Sequence, residues 1–388
     1  MSVGELILDK TISPLLSSKL GLSRTHFRPP KSQLLESSSI SLKSVTRLTF
    51  FETTDSGPRT TRSRNTFLSK EWTTFAQNVS AVANISSKSF TKFLAGSFAG
   101  SGGSGNFSAR AIIDKGILSS QPGAQITAIS QHLYSGSFCS GSGALLQDLM
   151  TKSTVRSNLT RFIPEITAVT SRNLEYVFGE TNSFSCHGAP NVSNTAGAAL
   201  WTLDYALFGR TINITRFYFH EGIGFKYNLI QPATLTRSIL DGSNLPTPLP
   251  PHVQPQYYAA IIAGEAIGKS GSTQISELSI NDSRITGYAF YERGVLKRAV
   301  FINLQAFLSG TSGARPSVHL DFSVSGKTRT TVKRLTIGHA DDASGLKWGG
   351  QSYETPDGRV NGTLSQESGL VRDGLDIVAT EAVLVSFS

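Results

Sequence analysis

The sequence predicts an α/β part followed by an all-β part, and three observations carry that prediction. Short apolar runs alternate with helical or loop segments as far as Gly268. After Gly268 the pattern changes to a period of two residues, with turn residues between short strands. The first 68 residues show neither period, only Ser/Thr/Arg clusters and the pair Pro29-Pro30. We therefore divide the chain into residues 1–68, 69–268 and 269–388.

Four apolar runs in 69–268 predict buried parallel strands, because both faces of such strands are covered by helices. The runs are Phe93–Phe98, Ala124–His132, Glu175–Glu180 and Ile214–Glu221. Helices are predicted over Glu71–Ile85, with Trp72, Phe75, Val79 and Val82 on one stripe, and over Tyr257–Ile267. Another helix begins near Ser193 or Asn194 and ends at Gly209. About four strand–helix units are visible, which is the C-terminal half of a (β/α)8 barrel.

Residues 269–388 predict an antiparallel β-sandwich packed on the strand–helix part. The expected strands are Ile275–Ile280, Ile285–Tyr291, Leu296–Ala306, Val318–Val324, Thr331–Ile337 and Ala382–Phe387. The segment Leu240–Val253 contains four prolines and predicts an ordered loop on the barrel.

Charge and cysteine content exclude several classes of protein. The net charge is +6 over residues 1–70 and +3 over the remainder, so the folded part is nearly neutral. With no aromatic-interleaved basic patch and no zinc-finger spacing, we predict no nucleic-acid partner, no metal and no cofactor. No apolar run approaches the roughly 20 residues of a membrane span. Cys139 and Cys186 follow adjacent strands on the same rim and can form one disulfide, the alternative being two free thiols.

Potential N-glycosylation sites indicate the secretory route. Eight Asn-x-Ser/Thr acceptors occur, and two or three are expected by chance: Asn78, Asn84, Asn106, Asn158, Asn191, Asn213, Asn281 and Asn361. The first residues lack the basic and apolar regions of a signal peptide. We therefore expect a secreted protein whose true N-terminus is missing from this sequence.

Glu180 is the strongest candidate for catalysis, because it ends an apolar strand where barrel enzymes place their catalytic groups. A carboxylate there can attack an anomeric carbon or hold a surface salt bridge. His132 and Tyr134 end the preceding strand, where a tyrosine can donate a hydrogen bond to the carboxylate. They can also be ordinary barrel-top packing. His220 and Glu221 end the following strand, and Glu221 is the rival carboxylate, with a supporting or solvated role as its alternative.

Several long runs resemble fungal glycoside hydrolase family 79, the β-glucuronidase-like group. The run from Gly179 to Pro190, GETNSFSCHGAP, is similar to the nucleophile loop of that family. Similar runs are GAALWTLDYALFG at 197–209, YFHEGIGFKYNLIQP at 218–232, PPHVQPQYYAAIIAGEAIG at 250–268 and GHADDASGLKWGGQSYET at 338–355. The resemblance covers about residues 70–388.

The resemblance implies a retaining glycosidase that acts on glucuronic-acid-containing oligosaccharides or glycans. It makes Glu180 the nucleophile and places His132 and Tyr134 in the sixth-strand motif. It also places Ser183–Gly188 where the family recognises the uronate carboxylate. The expected substrate-binding residues are His132, Tyr134, Asn182, Ser183, Ser185, His187, Gly188 and His220.

The family's acid/base motif, Gly-Asn-Glu, is absent from residues 1–70, where only Glu5, Glu36 and Glu52 occur. Codon degeneracy suggests a reason. Read from the third base of the Leu42 codon, the codons allowed through Phe50 can spell Glu-Ile-Gly-Asn-Glu-Ala-Asp-Leu. Read on through Asn65, they permit a plausible loop into the next helix. We therefore expect 1–68 to be largely a frame-shifted translation and the chain as written to be inactive.

Two other functions are compatible with the sequence. A non-catalytic secreted carbohydrate-binding or cell-wall protein could retain the same scaffold, and the missing acid/base Glu is the feature that favours it. A heparanase-like or hyaluronidase-like enzyme would differ only in substrate. The sequence does not identify the aglycone or the oligomeric state.

Overall fold

The computed structural model describes residues 3–6, 47–49, 61–98 and 108–388, with side chains from Ser69 onward within those ranges. Most of the predicted segment 1–68, with the proposed shift in reading frame, lies outside the described residues. The strands of the chain before Gly268 that lie in the described ranges form one six-stranded sheet and two short strand pairs. The strands of the sheet are β1 (Val3–Leu6), β2 (Arg47–Thr49), β3 (Lys92–Phe98), β4 (Ile126–Ser137), β5 (Glu175–Ser185) and β6 (Ile214–His220).

The sheet is parallel except at one edge. Its order is β1-β6-β5-β4-β3-β2; β2 to β6 run parallel, and β1 pairs antiparallel with β6. Helices connect or follow these strands: α1 (Thr61–Val82), α2 (Ala109–Asp114), α3 (Leu146–Leu149), α4 (Lys152–Thr160), α5 (Ile163–Thr170), α6 (Ala196–Thr211) and α7 (Gln256–Ile267). Two 3₁₀ turns, Ile117–Ser119 and Gly123–Gln125, precede β4. Alternation of strand and helix therefore holds along the described part of 69–268.

The predicted boundaries need correction at two helices. Helix α1 starts ten residues before the predicted Glu71, and Val82 of its predicted apolar stripe is 91% exposed. Helix α6 passes through Gly209, where a Cβ would come within 2.3 Å of the Phe217 ring. The small residue therefore allows close packing of helix on strand, and the left-handed turn comes later, at Asn213 (φ 73°).

The N-terminus of α6 also differs from the prediction. Ser193 Oγ accepts from the backbone N–H of Ala189, and Asn194 Oδ1 accepts from that of Asn191. Both side chains thus stabilise the preceding loop. The first helical residues Ala196 and Gly197 instead donate to the carbonyls of Asp342 and Ala340, so the C-terminal part of the chain closes this helix end.

Helix α6 is the centre of the larger core, because every residue from Ala196 to Arg210 is buried. Aromatic rings from three elements meet there: Trp201 and Tyr205 of α6 pack with Phe178 of β5 and Phe217 of β6. A smaller cluster, Leu94, Ala128 and Val177, covers the opposite face of the sheet. Both faces of the parallel strands are therefore buried near their starts.

Two short antiparallel strand pairs, one inside the other along the chain, occupy the proline-rich region between β6 and α7. Their strands are β7 (Ile230–Gln231) with β10 (His252–Val253), and β8 (Leu235–Arg237) with β9 (Asn244–Leu249). The predicted loop Leu240–Val253 is thus ordered and contains strand structure.

Residues 269–388, all of which the structure describes, contain nine strands and one 3₁₀ turn, Val371–Asp373, but no α-helix. The strands are β11 (Thr273–Glu277), β12 (Ile285–Glu292), β13 (Val295–Asn303), β14 (Ser317–Leu320), β15 (Arg329–Thr336), β16 (Lys347–Trp348), β17 (Glu367–Leu370), β18 (Leu375–Val378) and β19 (Glu381–Phe387). Seven form an antiparallel sheet in the order β11-β12-β13-β19-β15-β16, with β17 also on β15; β14 pairs with β18.

One polar cluster joins the two parts of the chain. Arg156 of α4 donates to both carboxylate oxygens of Asp204 in α6, at 2.6 and 3.2 Å. The same guanidinium reaches Glu277 Oε1 at 2.6 Å and the Tyr288 hydroxyl at 2.9 Å, on β11 and β12. Because the Asp204 side chain is fully buried, its charge is stabilised only while these partners stay in place.

Candidate active site at the end of the parallel strands

The ends of β4 and β5 lie side by side and carry the candidate residues. His132 pairs in register with Glu180, and Tyr134 with Asn182. Strand β5 does not end at Glu180, as the sequence suggested, but continues to Ser185. The register with β6 shifts between Phe178 and Thr181, so Glu180 lies in an irregular stretch on that side. Such irregularities re-aim side chains and are common beside active sites.

The Glu180 carboxylate is held by a short hydrogen bond. The Tyr134 hydroxyl donates to Glu180 Oε1 at 2.7 Å. Nδ1 of His220 lies 3.6 Å from the same oxygen, and Nδ1 of His132 lies 3.9 Å from Oε2. The Glu180 side chain is 34% exposed, so the carboxylate is oriented from one side and open on another.

The groups around this carboxylate are neutral at pH 7. Burial lowers the pKa of both His132 and His220 below its ordinary value, against the opposing influence of Glu180. Burial also raises the pKa of Tyr134, and it raises that of Tyr227 to about 12. Glu180 is therefore oriented by a neutral hydrogen-bond donor.

Glu221 is the rival carboxylate, but the structure directs it into its own loop. It is 8% exposed, and its Oε1 accepts the backbone N–H of Leu229 at 2.7 Å. Burial raises its pKa to about 7, although backbone hydrogen bonds from Leu229 and Ile230 act in the opposite direction. Glu221 thus stabilises the loop after β6.

Two of the predicted substrate-binding side chains are buried. Asn182 donates to the carbonyls of His220 and Tyr227 at 3.1 and 3.2 Å. The Ser183 hydroxyl contacts that of Ser193 at 2.8 Å, with no exposed surface. Their polar atoms join β5 to the neighbouring loops, and their role in binding a substrate stays a prediction.

The rest of the loop after β5 adopts left-handed backbone. Cys186, His187 and Gly188 have φ angles of 63°, 73° and 81°. Gly188 is required there, because a Cβ would come within 3.0 Å of the Ser193 side chain and of the Tyr227 backbone. His187 is exposed and packs on Phe225 with ring centroids 4.3 Å apart.

A disulfide anchors this loop to the end of β4. Cys139 and Cys186 are joined, with their Cα atoms 5.1 Å apart. Ser185 lies beside the bridge, its Oγ 3.7 Å from Cys139 Sγ, and its carbonyl accepts from the backbone N–H of Phe138. The rim between the two strands is thus closed covalently next to the candidate site.

Tyr227 is a site residue that the sequence reasoning missed. Its hydroxyl lies 3.2 Å from His220 Nδ1, and its ring packs on those of Tyr134 and His220. Phe225 completes this aromatic wall, 5.5 Å from the His220 ring. Phe225 and Tyr227 both occur in the run at 218–232 that resembles the family. The tyrosine seven residues after His220 was therefore the sequence feature that could have indicated its place in the site.

Seven of the predicted glycosylation acceptors lie in the described part of the chain, and Asn106 lies outside it. Asn78 and Asn158 are inside helices α1 and α4, and Asn158 is half-buried. The other five are exposed: Asn84, Asn191, Asn213, Asn281 and Asn361.

The described residues contain no group of three or more His, Cys, Asp or Glu arranged for a metal ion. Within the same ranges, no helix has the length and apolar character needed to span a membrane.

Comparison with known proteins connects this geometry to a family. Residues 287–384 match the C-terminal β domain of glycosyl hydrolase family 79. A β-glucuronidase from Neurospora crassa is 28% identical over 243 residues, covering 54% of this chain and 41% of that protein. A β-glucuronidase from Aspergillus niger is 28% identical over 279 residues, covering 68% and 49%. The chain thus spans less than half the length of these curated relatives.

Solved structures agree at the level of the fold. A 4-O-α-L-rhamnosyl-β-D-glucuronidase from Fusarium oxysporum superposes with a TM-score of 0.65 at 24% identity, covering 82% of this chain and 64% of that one. An arabinofuranosidase of family 51 from Xanthomonas axonopodis has a TM-score of 0.51 at 12% identity, covering 89% and 66%. The described chain is therefore a mixed α/β protein similar in fold to glycosidases.

Proposed function

Because the chain is a β-glucuronidase-like protein of glycoside hydrolase family 79, we propose that residues 69–268 carry the nucleophile half of a retaining β-glucuronide hydrolase site. Glu180 is the nucleophile. The observation that carries this assignment is the 2.7 Å hydrogen bond from Tyr134 to Glu180 at the ends of two adjacent parallel strands. This hydrogen bond fixes the direction of the carboxylate group, whose ionised form is the one that attacks in this reaction class.

In the reaction, a Glu180 oxygen forms a bond to the anomeric carbon while the bond from that carbon to the leaving oxygen breaks. A second carboxylic acid protonates the leaving oxygen and later deprotonates the water that releases the sugar. Retaining enzymes hold the two carboxyl groups about 5–5.5 Å apart. Glu221 does not suit this role, because its Oε1 accepts from its own loop.

The acid/base glutamate belongs to the segment 1–68, and this reading frame does not encode it in a suitable context. We propose that the chain as written therefore lacks general acid catalysis. Such catalysis contributes a factor of roughly 10²–10⁴ in rate. Ordinary glucuronides, which have poor leaving groups, then react too slowly to count as substrates.

The finer architecture and the binding residues are part of the same proposal. Residues 69–268 correspond to half of a (β/α)8 barrel, and 269–388 to a β-sandwich domain. His132, Tyr134 and His220 contact the sugar, with Ser185, His187 and Gly188 on the rim. The protein encoded in the restored reading frame acts on glucuronic-acid-containing glycans outside the cell, and the exposed Asn-x-Ser/Thr acceptors support secretion.

The nucleophile is tested with a substrate that needs no general acid. A 2-deoxy-2-fluoro-β-glucuronide with a 2,4-dinitrophenolate leaving group should add one sugar mass to the protein, and peptide mapping should place it on Glu180. Glu180→Gln abolishes labelling. Glu221→Gln is the matched control and keeps it. Labelling at another residue contradicts the assignment of Glu180. No labelling of a folded protein also contradicts it and favours the carbohydrate-binding alternative.

The missing acid/base is tested at the genomic level. The nucleotide sequence upstream of the Glu71 codon should encode Gly-Asn-Glu in the alternative frame. A chain restored to that frame should hydrolyse ordinary aryl glucuronides, and the 388-residue chain should not. Measurable turnover of ordinary glucuronides by the present chain would contradict the proposal.

A further inference from the structure

Two tyrosine hydroxyls, from β4 and from the loop after β6, lie near the same ring nitrogen of His220. His220 Nδ1 lies 2.8 Å from the Tyr134 hydroxyl and 3.2 Å from the Tyr227 hydroxyl. The Tyr134 hydroxyl in turn donates to Glu180 Oε1 at 2.7 Å. These contacts form a chain from His220 through Tyr134 to Glu180.

The direction of this chain follows from counting protons. An ionised carboxylate has only acceptor oxygens, and a phenol has one proton to donate. The Tyr134 proton must therefore point to Glu180, and it cannot also point to His220. The 2.8 Å contact is then a hydrogen bond only if His220 Nδ1 carries a proton and donates it to the Tyr134 oxygen.

We infer that His220 is a positioning residue held as the neutral Nδ1–H tautomer, and that it directs the Tyr134 proton to Glu180. This inference rests on the proposed role of Glu180 as an ionised nucleophile. The burial that lowers the pKa of His220 supports its neutral form. The Tyr227 oxygen is the second, longer acceptor of the same N–H.

The tautomer also defines what His220 can offer a substrate. With the proton on Nδ1, Nε2 carries a lone pair and accepts hydrogen bonds. A sugar hydroxyl can donate to it, whereas a uronate carboxylate cannot. His220 therefore favours contact with a hydroxyl of the sugar. Its side chain is 18% exposed, so part of the ring is accessible to a ligand.

The tautomer is measured without any catalysis, by long-range proton–nitrogen correlation NMR of the full chain labelled with ¹⁵N-histidine at pH 8. His220→Asn identifies the His220 signals by their loss. His252 is the internal reference, because its Nδ1 lies 2.8 Å from the Pro250 carbonyl, which can only accept. We expect His220 to show the same Nδ1–H pattern as His252. An Nε2–H pattern for His220 overturns the inference.

A second variant tests whether Tyr134 is the reason for that tautomer. Tyr134→Phe removes the nearer acceptor, at 2.8 Å, and leaves only the Tyr227 oxygen at 3.2 Å, so His220 should shift toward the Nε2–H tautomer while His252 stays unchanged. An unchanged His220 pattern in Tyr134→Phe also overturns the inference, because the tautomer would then be set by another partner.

The consequence for reactivity is measured with the fluoroglucuronide label. His220→Ala should label Glu180 roughly 10–100-fold more slowly, which corresponds to the typical strength of one hydrogen bond in a charge-assisted network. His220→Asn keeps an N–H donor near the Nδ1 position and should label Glu180 faster than His220→Ala does. Equal rates for both variants contradict the positioning role. Absence of labelling in wild type contradicts the proposed function, and the NMR result still decides the tautomer.

Discussion

Replacing Glu221 with Gln should change how the stability of the protein depends on pH. The carboxyl group is 8% exposed, and burial raises its pKa from 4.5 to about 7. Its Oε1 accepts the backbone N–H of Leu229, and a glutamine oxygen can accept the same hydrogen bond. The substitution therefore removes the ionisation while keeping the shape and the main contact.

The magnitude follows from the difference between the folded and unfolded pKa values. Below pH 4.5 the carboxyl group is protonated in both states. Between pH 4.5 and about 7 the unfolded chain releases the proton and the folded protein keeps it, so stability falls as pH rises. At 1.36 kcal/mol per pKa unit, this one group lowers the free energy of unfolding by about 3 kcal/mol across that window.

The assay is urea unfolding of wild type and Glu221→Gln at pH 5 and pH 8.5. The free energy of unfolding of the variant should rise by about 2–3 kcal/mol relative to that of wild type between the two pH values, because the unfolded carboxyl group is already partly ionised at pH 5. Asp241→Asn is the contrasting control: this exposed carboxylate has its pKa lowered by hydrogen bonds from Ser243, so its effect lies below pH 5 and the variant should run parallel to wild type between the two pH values. Parallel pH profiles for wild type and Glu221→Gln would refute the reasoning.

Three further variants test individual contacts of the fold, each by urea unfolding. Arg156→Leu leaves the fully buried Asp204 carboxylate without its guanidinium partner and should lower the free energy of unfolding by about 3–5 kcal/mol. A loss below about 1 kcal/mol would contradict the presence of this buried ion pair. Cys139→Ala with Cys186→Ala opens a bridge of sequence separation 47 and should cost up to about 4 kcal/mol; unchanged stability would exclude the disulfide in solution. Gly209→Ala places a methyl group 2.3 Å from an aromatic ring of β6 and should cost about 1–3 kcal/mol, so a neutral result would contradict the close helix–strand contact.

Much of the site could be located from the sequence, because parallel strands end at one edge of their sheet. Residues that end two neighbouring apolar runs, such as Tyr134 and Glu180, therefore had to lie close together. Tyr227 could not be placed in the same way. It follows no strand directly, and its approach to His220 depends on the fold of the loop after β6, which periodicity does not describe.

The roles of individual polar side chains were the least predictable part. Asn182 and Ser183 follow Glu180 and have donors suited to an anion, yet both are buried and bond to neighbouring loops. Glu221 has the same residue type as Glu180 and a similar place after a strand, but its carboxylate turns toward the Leu229 backbone. Sequence gives the chemical capacity of such groups, whereas their direction depends on local backbone irregularities.

The sequence by itself determined the alternation of strands and helices, the change to antiparallel strands after Gly268, and the position of the candidate carboxylate Glu180 next to Tyr134 of the neighbouring strand. These features follow from the period of apolar residues, which is a local property of the chain. Only the tertiary structure decided which polar atoms face the site. The proton order from His220 through Tyr134 to Glu180 requires distances between three strands, and such distances are fixed by packing around α6 and not by any single stretch of sequence.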